Sequence, residues 1–300
     1  MDLQKVANSR QAMILALGIA RAVPPRVGYA IGDIVSGWIA SRRATPMVRA
    51  IRLNQWVASD MSLTSEQLDA RVHEVLRHAA CTIYDLYHQI RNKANIIKNV
   101  EYTPKTIDFV NNTKDGVNGG MVAGLHMSNF DLGFCSLALN GLKMQVLSYA
   151  NPGGGYQYQN QIREEMGLEM TPIDAIALRK ASTRLTTGGL VVTGVERPDP
   201  NLKHMYNFFG YPARLPDGHV RLALRADVPL FPIHVRMQKN GKYLIDVDGP
   251  YPLLHHPDRE QEITINVEKI LATFETWIRQ TPQQWLMYYP VWPQLMDQMP

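Results

Sequence analysis

The sequence predicts an α/β fold, a mixed and largely parallel central sheet flanked by helices, with an N-terminal helical segment suited to docking on a membrane. Three observations predict it. From about residue 119 short apolar runs (GMVAGL, QVLSYA, LVVTGV, PLFPIHV) are separated by helix-forming stretches, the alternation expected of crossover units in a parallel sheet. Asn240-Gly241 stands between PIHVRMQ and KYLIDVDG, a dipeptide that favours a type I′ turn, so an antiparallel pair should finish the sheet. The first fifty residues set two apolar runs among seven basic side chains and two acidic ones.

Those runs, AMILALGIA and VGYAIGDIVSGWIA, each stop short of the roughly 18 residues that a membrane span needs. Basic and apolar, with Trp38 near one end, they fit an interfacial docking element and fit equally a helical hairpin packed on the core. No small-residue cleavage site follows a short charged start, so no secretory signal is expected. Pro24-Pro25 and Pro46 mark the starts of two helices, because proline suits a first turn and breaks an interior. Thr64 with Gln67 forms a capping box at the head of a long helix whose stripe (Leu68, Val72, Val75, Leu76, Ala79, Ile83, Leu86, Ile90) belongs to the core. A last helix is expected over about 264–279, before a tail rich in Trp, Tyr and Pro. With 300 residues, 45% of them apolar, and no repeat or Gly/Ser linker, one domain over 1–300 is expected. Residues 1–60 form its N-terminal helical part, and 119–300 hold its sheet.

Cys81 and Cys135 lie far apart in apolar stretches, which leaves no disulfide framework and points to a reducing compartment. CxxC, HExxH and GxSxG are absent, and His255-His256 has no carboxylate at ligand spacing, so no metal site is expected. Nucleic acid is a poor partner despite a pI near 9.0, because the excess basic charge coincides with apolar runs.

The chemistry concentrates in GLHMSNFDLG, residues 124–133. His126 falls where the MVAGL strand ends, the place at which open α/β sheets hold ligands. Asp131 falls in the first turn of a helix that runs to about Leu139 and stops at Asn140-Gly141. With a turn between them the two side chains can meet, leaving the other imidazole nitrogen to take a proton from a hydroxyl. A second reading makes Ser128 and Asp131 an approximate capping box beside a packed histidine. Glu196-Arg197 stands at the end of another strand, in a proline-stiffened loop that also reads as a solvated turn. Gly153 to Gly155 lack the GK[ST] of a phosphate loop. Arg163, before Glu164 and Glu165, reads as a surface residue of an acidic helix; pointing inward, it would suit a phosphate or a developing oxyanion.

The ordered set of His126, four residues, Asp131, then QIREEMG, GGLVVTGVERPDP, NFFGYPARLPDG, PLFPIHV and ETWIRQTPQQWLMYYPVW resembles the lysophospholipid acyltransferase superfamily. Within it the chain is similar to the bacterial lipid A lauroyl/myristoyl type and to phosphatidylinositol mannoside acyltransferases. The resemblance implies transfer of a fatty acyl group from acyl-CoA or acyl-carrier protein to a hydroxyl of a lipid or glycolipid acceptor. It further implies a peripheral or monotopic enzyme on the cytoplasmic face of the cell membrane, without a cofactor. His126 would be the general base, oriented by Asp131, and Arg163, Glu196 and Arg197 would bind the acceptor or shape the site. Phe130, Phe134, Phe208, Phe209 and Tyr211 are candidate walls of an acyl groove, each reading equally as ordinary core packing, which is expected for at least half of them, while Cys135 reads as core. Two departures leave the acceptor open: lipid A enzymes often carry Glu at the place of Asp131, and no FPEGTR-like block is present. An acyl-thioester hydrolase and a non-catalytic lipid-binding protein are the alternatives.

Overall fold

Met121–Gly124 is apolar and buried throughout, the pattern of a strand covered on both faces, and it lies at the centre of the sheet. The structure is a computed structural model that describes residues 17–300 except 19, 21, 91, 151 and 152. In chain order the named elements are α1 (Pro25–Ala40), α2 (Pro46–Ala58), α3 (Ser65–Gln89), α4 (Lys93–Asn99), β1 (Val100–Tyr102), α5 (Pro104–Thr113) and β2 (Met121–Gly124). There follow α6 (Phe130–Leu139), β3 (Met144–Ser148), α7 (Gly154–Glu165), β4 (Glu169–Pro172), α8 (Ala175–Thr186) and β5 (Leu190–Gly194). The chain continues through β6 (Tyr206–Phe208), β7 (Tyr211–Ala213), α9 (Gly218–Ala226), β8 (Leu230–Met237), β9 (Tyr243–Val247) and α10 (Arg259–Gln280).

The sheet order is β1-β9-β8-β2-β5-β3-β4, and every neighbouring pair is parallel except β8 with β9. This is the expected mixed, mostly parallel sheet flanked by helices. It reaches back before residue 119, because β1 supplies an edge strand. Side chains alternate along each strand. Met121 and Ala123 join the apolar cluster of α2, α8, α9 and α10, whereas Val122 joins that of α6, α7 and the second half of α3.

Local signals account for most boundaries. Pro25 and Pro46 open α1 and α2, and the Thr64–Gln67 capping box closes at the head of α3 with both reciprocal bonds. Ile83 departs from the core stripe of that helix: it is half exposed, on a face that the sheet does not cover. The β8–β9 hairpin is present, but its turn is not type I′. Gly241 alone of the pair has positive φ, and its N–H donates to Gln238 O at 3.0 Å, so the loop is a three-residue turn closed by a glycine. The primed turn occurs instead at Phe209-Gly210, with φ of +53° and +78°, where two residues join β6 to β7.

Most of AMILALGIA lies outside the described residues, although its Leu17 and Ala20 are buried. Helix α1 packs along α3 and leaves Val27, Tyr29, Ile31, Ile34, Val35 and Trp38 exposed, Ile34 by 73%. The guanidinium of Arg42 covers the Trp38 ring at 3.8 Å. No helix among the described residues is long and apolar enough to cross a membrane.

Candidate active site

Beyond the carboxyl end of β2 the chain turns sharply about His126, Met127 N–H donating to Leu125 O at 2.8 Å. The loop is braced from the C-terminal side: Ser128 N–H donates to Gln284 O at 2.8 Å, Leu286 N–H to His126 O at 2.9 Å, and Met127 bridges Trp285. Ser128 has φ of +51°, which a non-glycine residue adopts only where its surroundings hold it. Its hydroxyl pairs with Nε2 of His78 at 3.0 Å, an imidazole kept neutral by burial and by Arg77, which lower its pKa to about 4. The cap of α6 is Asn129, whose side chain accepts from Leu132 N–H at 3.2 Å while its amide donates to Thr82 O. The approximate capping box of Ser128 and Asp131 therefore does not form.

Nor does Asp131 bond to His126. The partner of the imidazole is Glu196, at the carboxyl end of the neighbouring strand β5. One carboxylate oxygen accepts the backbone N–H of His126 at 2.7 Å, and the two oxygens lie 3.0 and 3.1 Å from Nδ1. Glu196 is fully buried, so its charge acts through protein and not through water. Burial works against a charged His126, but the charge and hydrogen bond of Glu196 outweigh it; with Arg197 lowering and Asp131 raising, the net pKa is above the ordinary 6.5. The imidazole lies over Gly194: a Cβ there would sit 2.3 Å from Cε1 and 2.9 Å from Nε2. Nε2 has no hydrogen-bond partner among the described residues, and about a third of the side chain is exposed.

Asp131, from the first turn of α6, is instead gripped by Arg163 of α7. Arg163 donates from Nε to Oδ1 at 2.8 Å and from Nη2 to Oδ2 at 2.9 Å, and from Nη1 to Asn160 Oδ1 at 2.8 Å. Burial opposes the guanidinium's charge and Asp131 more than restores it, so its pKa is raised. Each nitrogen of Arg163 thus makes one bond within the protein, which leaves Nη1 and Nη2 one N–H apiece beside the cleft. Because the pair is largely buried, Arg163→Met is expected to destabilise the protein by about 3–5 kcal/mol, leaving a carboxylate without its counter-charge. In urea unfolding the double variant with Asp131→Leu should recover most of that loss, since both charges then leave together.

A cleft of about 790 Å³ opens at this end of the sheet, lined by His126, Asp131, Arg163 and Arg197 together with apolar side chains. Phe130 and Phe134 of α6 line it, Phe130 edge-on to the imidazole at 5.2 Å. Ile83 and Leu86 of α3, which helical spacing assigned to the core, complete the walls with Val146, Met170 and Tyr288. Arg197 lies over the Tyr289 ring at 4.1 Å and near Tyr149 at 5.4 Å.

The sequence profile of the bacterial lipid A biosynthesis acyltransferases matches residues 9–294. The chain belongs to this family. It is also similar to two phosphatidylinositol mannoside acyltransferases, 25% identical in each case. The one from Mycolicibacterium smegmatis aligns over 62% of this chain and 60% of its own length, and that from Mycobacterium tuberculosis over 63% and 61%. The chain thus spans about three fifths of the length of these relatives.

Three of the five aromatic residues expected in the groove lie elsewhere in this member of the family. Phe208 and Phe209 are buried among Trp285 and Trp292, and Tyr211 bonds to Met61 Sδ at 3.4 Å. The reason is the tight Phe209-Gly210 turn, which folds the β6–β7 ribbon back onto α10, Phe209 N–H donating to Glu275 at 2.6 Å. Cys135 is fully buried and its thiol is pushed up to about 12, first by burial, so no thiolate is available there. His255 pairs with Glu262 and His256 with the backbone of Asp258. Among the described residues no cluster of His, Cys, Asp and Glu could hold a metal ion. The residue missed as the histidine's partner, Glu196, carried one signal in the sequence: an acid at the end of the strand adjoining the histidine's own.

Proposed function

We propose that this acyltransferase moves a fatty acyl group from a thioester, acyl-CoA or acyl-carrier protein, onto a hydroxyl of a lipid or glycolipid acceptor, at the cytoplasmic face of a membrane. One observation carries the reading: an imidazole whose Nδ1 is held by a buried carboxylate and whose Nε2 is left free, in a cleft with apolar walls. His126 acts as general base. Its Nε2 takes the proton of the acceptor hydroxyl as that oxygen attacks the thioester carbon, and later returns it to the departing thiolate. Glu196 sets the tautomer and stabilises the imidazolium, and the Asp131–Arg163 pair fixes the walls beside it. No covalent enzyme intermediate is required.

Phe130, Phe134, Ile83, Leu86 and Met170 supply the acyl groove, where each buried CH₂ is worth about 0.8 kcal/mol. Arg197, a cation at the cleft without a hydrogen-bonded acid among the described residues, takes an anionic group of the substrate. The exposed apolar face of α1, with Arg42 stacked on Trp38, supports docking on an anionic lipid surface. The two free cysteines fit a reducing compartment. The similar phosphatidylinositol mannoside acyltransferases make a glycolipid the first acceptor to try.

The test is thiol release from palmitoyl-CoA, with phosphatidylinositol mannoside and lipid A precursors offered as acceptors. Release that depends on acceptor and matches acylated product mole for mole is expected. Undiminished release without acceptor would mean hydrolysis, and binding without turnover would mean a lipid carrier; either overturns the proposal.

A further inference from the structure

We infer that Ser148 binds the carbonyl oxygen of the thioester, as the hydrogen-bond donor facing His126 across the cleft. The inference rests on the acyl-transfer reading above and adds to it a residue that the histidine and its carboxylate do not supply.

Its basis is a hydroxyl with nothing to do in the free protein. Ser148, the last residue of β3, is 6% exposed, lines the cleft, and its Oγ has no hydrogen-bond partner. A buried hydroxyl left unpaired costs free energy, so each one needs an explanation. Its own backbone oxygen accepts Ile173 N–H at 3.0 Å, which fixes the strand end without involving the side chain. Such a group is satisfied when a ligand brings it an acceptor.

The register of the sheet says where that acceptor lies. Met144, Gln145 and Val146 of β3 pair with Leu190, Val191 and Val192 of β5, and that register, continued two residues past the last pair, sets Ser148 level with Gly194. Residues two apart on a strand share a face, which puts Ser148 with Val146 and Gly194 with Val192. Gly194 is the residue over which the His126 ring lies. The hydroxyl and the imidazole therefore lie on the same face, over the ends of neighbouring strands, and both line the cleft.

The step balances without further reagents. The acceptor O–H gives its proton to Nε2 as the new C–O bond forms, and the carbonyl electron pair moves onto oxygen, where the Ser148 hydroxyl meets the charge as it develops. The pair returns, the C–S bond breaks, and the thiolate leaves with the proton from the imidazolium. Donors of this kind act best when fixed in place beforehand, and a hydroxyl buried at the end of a paired strand is so fixed.

The experiment compares Ser148→Ala, Ser148→Thr and His126→Ala in the full-length protein, with palmitoyl-CoA and a glycolipid acceptor. Ser148→Ala is expected to lower kcat about a hundredfold with KM for both substrates nearly unchanged, while Ser148→Thr, which keeps the hydroxyl, recovers most of the rate. The melting temperature of the Ala variant should stay level or rise, because the deleted group had no partner. Three results overturn the inference: a kcat that survives the Ala substitution, a loss seen wholly in the acceptor's KM, or a lowered melting temperature, which would reveal a structural partner. Should His126→Ala leave turnover intact, the acyl-transfer reading itself fails. If His126→Ala abolishes turnover while Ser148→Ala does not, only the role of Ser148 falls.

Discussion

Glu196→Gln is expected to lower kcat by about 10² to 10⁴ and to move the acid limb of the pH–rate profile downward. Glutamine keeps the volume and one acceptor oxygen, so the backbone N–H of His126 retains a partner. What is lost is the charge, together with one of the two oxygens that face Nδ1. An amide NH₂ in that place favours the tautomer with its proton on Nε2, which cannot accept another. The sign of the pH effect follows from the groups around the ring. A general base must be neutral, so the wild-type rate falls as pH drops through a pKa held above 6.5 by Glu196. Without that charge, burial and Arg197 remain and lower the value, against Asp131 alone, the smallest influence, which raises it. The limb should therefore appear at lower pH in the variant, under a much reduced plateau. A limb left in place would show that some other group sets the titration.

Gly194→Ala should cost at least about a hundredfold in turnover while leaving the fold standing. The added methyl would overlap Cε1 and Nε2 of His126, and the ring would have to tilt off the strand, away from the hydrogen bond at Nδ1. A misplacement on the order of 1 Å is enough to forfeit about 10² in rate. The backbone of Gly194 lies outside the positive-φ region, so alanine brings no conformational strain of its own. Steady-state kinetics beside circular dichroism separates the two effects. An active Ala variant would show that the ring has room to move, and would weaken the case for a fixed imidazole.

The sheet was legible in the sequence because its central strands are buried on both faces and spell continuous apolar runs. Edges were not legible. β1 and β4 are three and four residues long and partly exposed, and their composition does not separate them from loops. His126 and Asp131 were legible as a pattern, but the pattern suggested that they bond to each other. Spacing records neighbours along the chain, whereas the imidazole's neighbour comes from the next strand, 70 residues on. The same limit applies to Arg163: its sequence context is acidic and helical, and only the crossing of α7 past α6 turns it towards Asp131. Whether Phe208 and Phe209 face a groove or the core was not legible, because an aromatic pair beside a glycine says nothing about which way a ribbon folds.

The brace on the histidine loop also has a meaning in time. Gln284, Trp285 and Leu286, which clasp residues 126–128, are made long after every group that would do chemistry. A ribosome that has finished Glu196 has delivered base and carboxylate, yet the turn that aims them waits for some ninety residues more. On the proposed reading the site is completed late in synthesis, and a nascent fragment carries imidazole and carboxylate without the brace that aims them.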